Sequence, residues 1–428
     1  MKKIVFSSVF CSVLALAANA QSGTNSPYSQ YGLGVLSDQS QGFNRGMNGL
    51  GLGLRSGKNV NVLNPASYSS VDSMTMLVDA GLSGQITNFK EGEMKVNANN
   101  ANFEYVVASF RLAKNFGLGL GVIPFTNIGY NYSVSRKIEN ASLISTETFS
   151  GNGGLHQAFV GLGYKFGSRL SLGFNASYLW GTYEKKIQNS SSESYASTIS
   201  KTYSATVNSY KLDLGVQWEQ PVTSKDTLTF GATYGIGHNL GANPQVITSN
   251  RNSMTGVSTE NTSEVADGLS IPHSFGFGLA FRHMKKYTLG LDYSLQMWSS
   301  LDYPEMNNAT GKYEMKSGLL CDRHKVTLGG EWVPNSMGQN FFGRIHYRAG
   351  VSYATPYYKV NSMDGPKEIS VSAGFGIPIL NAREHRSILN ISAQWVHSSA
   401  KELITENTFR INIGLTFNER WFMKWKVD

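Results

Sequence analysis

The sequence predicts an all-β fold: a transmembrane antiparallel β-barrel of about 14 strands with an N-terminal plug inside its lumen. Three observations predict it. Apolar and polar residues alternate with period two along most of the chain. The connections between alternating segments are short at one end and long at the other. The composition joins 45 Gly, 21 Tyr and 22 Phe to a mean hydropathy of -0.23. Strands that cross a membrane alternate and never form a long apolar run, so such a hydropathy fits a barrel.

The chain opens with Lys2 and Lys3, a short apolar run from Ile4 to Ala17, and Ala18-Asn19-Ala20. That order is a secretory signal peptide, expected over residues 1–20. The apolar run is too short for a membrane helix, which needs ~20 residues. Cys11 lies inside the run and cannot be the first mature residue, which argues against a lipoprotein. Cys321 would be the one cysteine left, so no intrachain disulfide is expected. Removing Lys2 and Lys3 from 37 basic residues leaves 35 against 29 acidic ones, an excess of +6. That mild excess does not point to nucleic acid.

Residues 21–72 are rich in Gly and small polar residues and hold no clear strand. Tyr28, Tyr31, Leu33, Phe43, Met47 and Leu50 would be exposed in a free tail. A plug folded into the lumen would bury them. Within the segment, Pro65 fixes its own φ and biases Asn64 away from helix, while the Asn64 side chain can hold a turn. This knuckle would turn the plug toward the wall.

Strands are expected near 74–83, 103–112, 116–134, 155–166, 170–183, 204–218, 227–240, 273–281, 287–298, 324–333, 342–353, 367–377, 387–397 and 408–417. The clearest is FRINIGLTF: Phe409, Ile411, Ile413, Leu415 and Phe417 share one face, and Arg410, Asn412, Gly414 and Thr416 share the other. Connections after even-numbered strands are mostly short, such as AKN at 113–115 and GSR at 167–169. Those after odd-numbered strands are mostly long and polar: 84–102, 135–154, 184–203, 241–272, 299–323 and 354–366. Short turns on one side and long loops on the other characterise outer-membrane barrels, and an even strand count returns both termini to the periplasm. The barrel is expected over 73–417. Residues 418–428 read as a periplasmic tail, with Trp421, Phe422 and Trp425 at headgroup level and Arg420, Lys424 and Lys426 near phosphates.

Four places together resemble the FadL-type outer-membrane transport proteins, channels for long-chain fatty acids and other hydrophobic compounds. Arg45-Gly46-Met47 followed by Asn64-Pro65-Ala66 is similar to that family's hatch. Ile271-Pro272-His273-Ser274-Phe275 is similar to its Pro-initiated central strand. DYSLQMWSSLD at 292–302 and YRAGVSYATPYY at 347–358 are similar to two further strands. The layout also resembles the version of the fold common in Bacteroidota. The hatch lacks the usual acidic and Ala-rich run, which bears on substrate more than on fold. The resemblance implies that Arg45, Gly46, Asn64, Pro65 and Ala66 belong to a hatch. It also implies a kink at Pro124 with a gap in the wall, through which a ligand leaves sideways. The residues alone allow a second reading, in which Pro124 marks the strand's extracellular rim.

Alternation places Asp292, Ser294 and Gln296 inward, with Lys325 and Glu331. It places Arg344, His346 and Arg348 inward as well, because a charge at the lipid midplane costs ~2–4 kcal/mol. These groups read first as ion pairs joining wall to plug, and second as a ligand headgroup site at Arg344 and Arg348. His156, His273, His324, His346 and His397 are scattered, and no Gly-x-Ser-x-Gly elbow, paired-His motif or phosphate-binding loop occurs. No enzyme activity, cofactor or metal is expected. The leading function is hatch-gated uptake of hydrophobic compounds. The alternative is a non-catalytic subunit of a larger outer-membrane machine for protein secretion or barrel assembly. The expected partners are a hydrophobic small molecule or lipid, the outer-membrane lipids and other outer-membrane proteins.

Overall fold

The structure is a computed structural model that describes residues 23–419, except 74, 138–143, 194, 285, 308, 337 and 381–385. The expected signal peptide and tail residues 420–428 lie outside the described residues.

Fourteen strands close into one antiparallel ring. They are β1 Met76–Glu91, β2 Met94–Ala113, β3 Phe116–Lys137, β4 Ile144–Phe166, β5 Leu170–Ser191, β6 Thr198–Pro221 and β7 Asp226–Gly235. The second half comprises β8 Ser274–His283, β9 Tyr287–Gln296, β10 Arg323–Trp332, β11 His346–Ala354, β12 Lys367–Leu380, β13 Arg386–Ser399 and β14 Thr405–Glu419. β1 closes the ring on β14, from Met76↔Glu419 to Lys90↔Thr405. Closure gives every strand a partner on each side, which a barrel in hydrocarbon requires.

The expected alternation decides which face meets lipid. On β14, Phe409, Ile411, Ile413 and Phe417 are 40–49% exposed, whereas Asn412 and Thr416 are 3% and 0% exposed. An apolar outer face and a polar inner face are the pattern of a barrel in a membrane.

Strand length is where the structure departs from expectation. β3 to β6 run for 22, 23, 22 and 24 residues, while β7 to β10 have 10 each. Much of 84–102, 135–154 and 184–203, expected as loop, continues as paired strand. β1 and β2 stay paired up to Glu91↔Met94, next to the turn Gly92–Glu93. These outer parts have water on both faces, so they carry no apolar alternation to read. Cross-strand hydroxyl pairs help hold them: Ser133 with Thr148 and Ser135 with Thr146, each at 3.0 Å.

β11 starts later than its expected 342. Phe341–Arg344 forms one helical turn, which the Asn340 side chain caps by accepting from Phe342 N at 3.1 Å. Arg344 therefore sits in the connection before the strand, and its placement by strand alternation is corrected.

The long-excursion end is elaborated. Within 236–273 a hairpin, Gln245–Arg251 with Ser258–Glu264, pairs onto the outer part of β6. Within 297–322 lies a second hairpin, Tyr303–Asn307 with Lys312–Lys316. Beneath them an apolar cluster includes Leu155, Leu179, Leu240, Trp298, Tyr357 and Tyr358, together with Tyr28 and Leu33 from the N-terminal segment.

Candidate functional site

The inner wall and residues 23–72 form one interlocked surface, and the local sequence explains how. Asn64 caps the 3-10 turn Pro65–Ser70: its Oδ1 accepts from Ala66 N at 3.1 Å, and Pro65 takes the first position. The Asn64 amide also donates to Leu52 O at 2.9 Å and to Val216 O on β6 at 3.1 Å. The knuckle is thus fixed to its own segment and to the wall.

The wall meets the knuckle with glycine. Gly117 on β3, Gly163 on β4, Gly173 on β5 and Gly215 on β6 are successive cross-strand partners. A β-carbon at Gly117 would collide with Tyr68 O, and one at Gly173 with the Pro65 carbonyl. Across the ring, Gly290, Gly329 and Gly350 on β9 to β11 form a second row, against Leu50 and Met47. Each row lets backbone approach backbone where a side chain would keep them apart.

Charged groups complete the contact. Arg45 is 3% exposed and pairs with Glu104 on β2 at 2.9 Å; it also donates to Asn412 on β14 at 2.9 Å. Gly46 lies against Arg348 and Gly374. Asp292 on β9 accepts from Gly51 N at 2.6 Å and from Leu52 N at 2.8 Å. Asn48, with φ at 58°, donates to Ser352 at 2.8 Å and accepts from Ser370 at 2.8 Å and Gln394 at 2.7 Å. Ala66 is fully buried.

Arg348 is engaged within the wall. Its Nε donates to Glu331 at 2.6 Å and its Nη1 to Asn390 at 2.5 Å. From Asn390 the chain of bonds runs to Thr416, then Asp79, then Tyr105, which accepts from Gly42 N. Arg348 and Glu331 thus act in a wall network. Arg344 stands apart from it, in the turn before β11. Sequence reasoning missed Asp79, Glu104, Tyr105, Gln217 and Gln394. Asp79, Gln217 and Gln394 alternate with outward residues, and that alternation was the available signal. Glu104 and Tyr105 are adjacent and both buried, because the β1–β2 register shifts there, and alternation cannot announce that.

Pro124 lies inside β3, not at its end. The β3–β4 register shifts between Pro124 and Thr126, so Phe125 is the extra residue of a bulge. β2 and β3 pair only as far as Val106↔Val122. Beyond that point β3 takes a different partner: Val35 and Leu36 pair with Asn127 and Thr126. Ser37 N donates to Phe125 O at 3.0 Å, and Gln39 donates to Pro124 O at 2.9 Å. The N-terminal segment stitches this seam.

A closed ring of fourteen antiparallel strands, apolar outside and polar inside, is a transmembrane β-barrel of the outer-membrane type. Three solved structures share that fold. The toluene transporter TbuX of Ralstonia pickettii aligns with a TM-score of 0.61 at 12% identity, over 89% of this chain and 98% of its own. A FadL homologue of Pseudomonas aeruginosa gives 0.60 at 12%, over 90% and 99%. The monoaromatic hydrocarbon channel CymD gives 0.57 at 15%, over 90% and 98%. Comparison with curated proteins finds no significant match. The family model BamG matches residues 1–428, and the chain belongs to that family.

Proposed function

We propose that this chain is a closed, non-catalytic barrel subunit of a larger outer-membrane machine for protein secretion or barrel assembly, with both termini in the periplasm. One observation carries the reading. Residues 23–72 are fastened to the wall on all sides, by Arg45, Asn48, Asn64 and the backbone at Gly51–Leu52, and they also occupy the seam beside β3. A channel needs either a hatch that moves or a wall that opens. Here the segment is bonded to the wall at many points and lies along the seam, which leaves the outer wall, the elaborated loops and the two mouths as surfaces for partners.

Native mass spectrometry after extraction in mild detergent tests this. The expected result is a defined complex with other outer-membrane proteins. Recovery of the chain alone with bound lipid would overturn it. Deletion of the gene is expected to lower many outer-membrane proteins together.

A second reading is uptake of hydrophobic compounds; TbuX is a toluene transporter and CymD a monoaromatic hydrocarbon channel. The seam favours it: Pro124 and the end of β2–β3 pairing leave a place in the wall where only two residues of added strand pair with β3. Here the segment 23–72 acts as a hatch and the ligand exits sideways. Loss of growth on a hydrophobic nutrient, with other outer-membrane proteins unchanged, would favour this reading.

A further inference from the structure

At the short-turn end the barrel holds a polar cavity of about 500 Å³, within the usual range for ligand sites. It is built by both parts of the molecule. The N-terminal segment supplies Arg55 with Ser56, Ser69 and Ser70, and the wall supplies Arg111, Lys165, Glu219 and Arg282. Four cations thus face one carboxylate. Glu219 is already taken: it accepts from Lys165 at 2.8 Å and pairs with Arg55 at 3.3 Å. Arg55 is further used by Gln217 at 3.0 Å and Ser69 at 3.1 Å.

The other two cations are less engaged. Arg282 approaches Glu219 only to 4.0 Å, and its side chain is 42% exposed. Arg111 donates from Nε to Ala113 O at 3.2 Å, which leaves the end of its guanidinium toward the cavity. The short turns and adjoining strand ends at the same end of the barrel carry Lys114, Arg169, Lys225 and Lys286. Two acids lie at the same end among the described residues: Asp72, whose carboxylate is exposed and whose backbone N–H donates to Gly57 O, and Asp226, which holds His283 at 2.6 Å. The mouth remains strongly positive.

We infer that this mouth is a docking site for an acidic peptide segment of a periplasmic protein. Two features select that partner. Lys165, Glu219 and Arg282 alternate with Phe166, Trp218 and Phe281, which are 38–48% exposed on the outer face. The cavity is therefore on the inner side of the wall, and a phospholipid cannot bring its phosphate there while its acyl chains stay in the bilayer. The basic turns extend the positive field beyond the cavity, which suits a chain of carboxylates better than one small anion. The inference rests on the reading above only for the periplasmic orientation.

The test uses the full mature chain in detergent and a fluorescein-labelled hexaglutamate peptide, read by anisotropy. The expected result is saturable binding that weakens from about 50 mM to about 200 mM salt. The double variant Arg111→Gln/Arg282→Gln should raise Kd about tenfold, while the band shift of the unheated barrel on gels stays unchanged. Equal binding of a hexaglutamine peptide would overturn the inference. So would an unchanged Kd in the variant, or displacement by inorganic phosphate or phosphatidylglycerol vesicles but not by unlabelled hexaglutamate. If the chain proved to be a lone transporter yet bound hexaglutamate as described, the subunit reading would fail and the site would stand.

Discussion

Single residues carry much of the contact between the N-terminal segment and the wall. Arg45 and Glu104 are both buried, so replacing one strands the other without water. Breaking such a pair costs ~3–5 kcal/mol. Arg45→Ala is expected to raise hydrogen exchange across residues 38–54 while the strand amides stay protected. Asp292→Asn removes the charge that accepts from Gly51 N and Leu52 N. A hydrogen bond to a charged group is worth ~1.5–3 kcal/mol, so exchange should rise locally around 49–54. Cys321 gives a prediction of a different kind. It lies in the 317–322 loop, with its Sγ near the carbonyls of Pro356 and Tyr358. Burial pushes its thiol up to about 11. The thiolate is the reactive form, so alkylation at neutral pH should be slow and should accelerate steadily as pH rises toward that value, as timed mass spectrometry would record.

At the level of elements, the glycine rows make a sharper demand than the polar contacts. A side chain at Gly173 meets the Pro65 backbone, which has no flexible end to give way. Gly173→Val is expected to push the Pro65–Ser70 turn off the wall at a cost of about 1–3 kcal/mol or more. Limited proteolysis should then cut near residues 56–72 while the barrel persists. The strands themselves were legible because lipid on one face imposes period two, as on β14. Their outer reach was not, because β1 to β6 leave the lipid with water on both sides and the pattern ends where the ladder continues. The Asn64-Pro65 turn was legible as local chemistry, whereas its acceptors Leu52 O and Val216 O are set by the fold alone. Arg344 was misplaced for a related reason: one capped turn of helix interrupts the count of alternate residues before β11.

For the whole molecule, the ring and its contents are separable by experiment. β1 and β14 close the sheet by their own ladder, and among the described residues none before Met76 takes part in it. Deleting residues 23–72 should leave a barrel that still shifts on heating in gels but that conducts ions in planar bilayers, where the intact chain stays closed. An unchanged closed state would mean that the loops alone seal the long-excursion end. The same scale explains why fold was more readable than role. Closure follows from patterns repeated along the sequence, while sealing follows from single meetings between distant positions.

Asn48 makes its bonds to residues 352, 370 and 394, and Arg45 reaches residue 412. The first part of the chain to be synthesised is therefore completed by the last. A sheet closed without that early stretch inside would leave Gln394 and Asn412 facing water in place of Asn48 and Arg45. Seating that early stretch and completing the last strands are therefore two halves of one set of contacts.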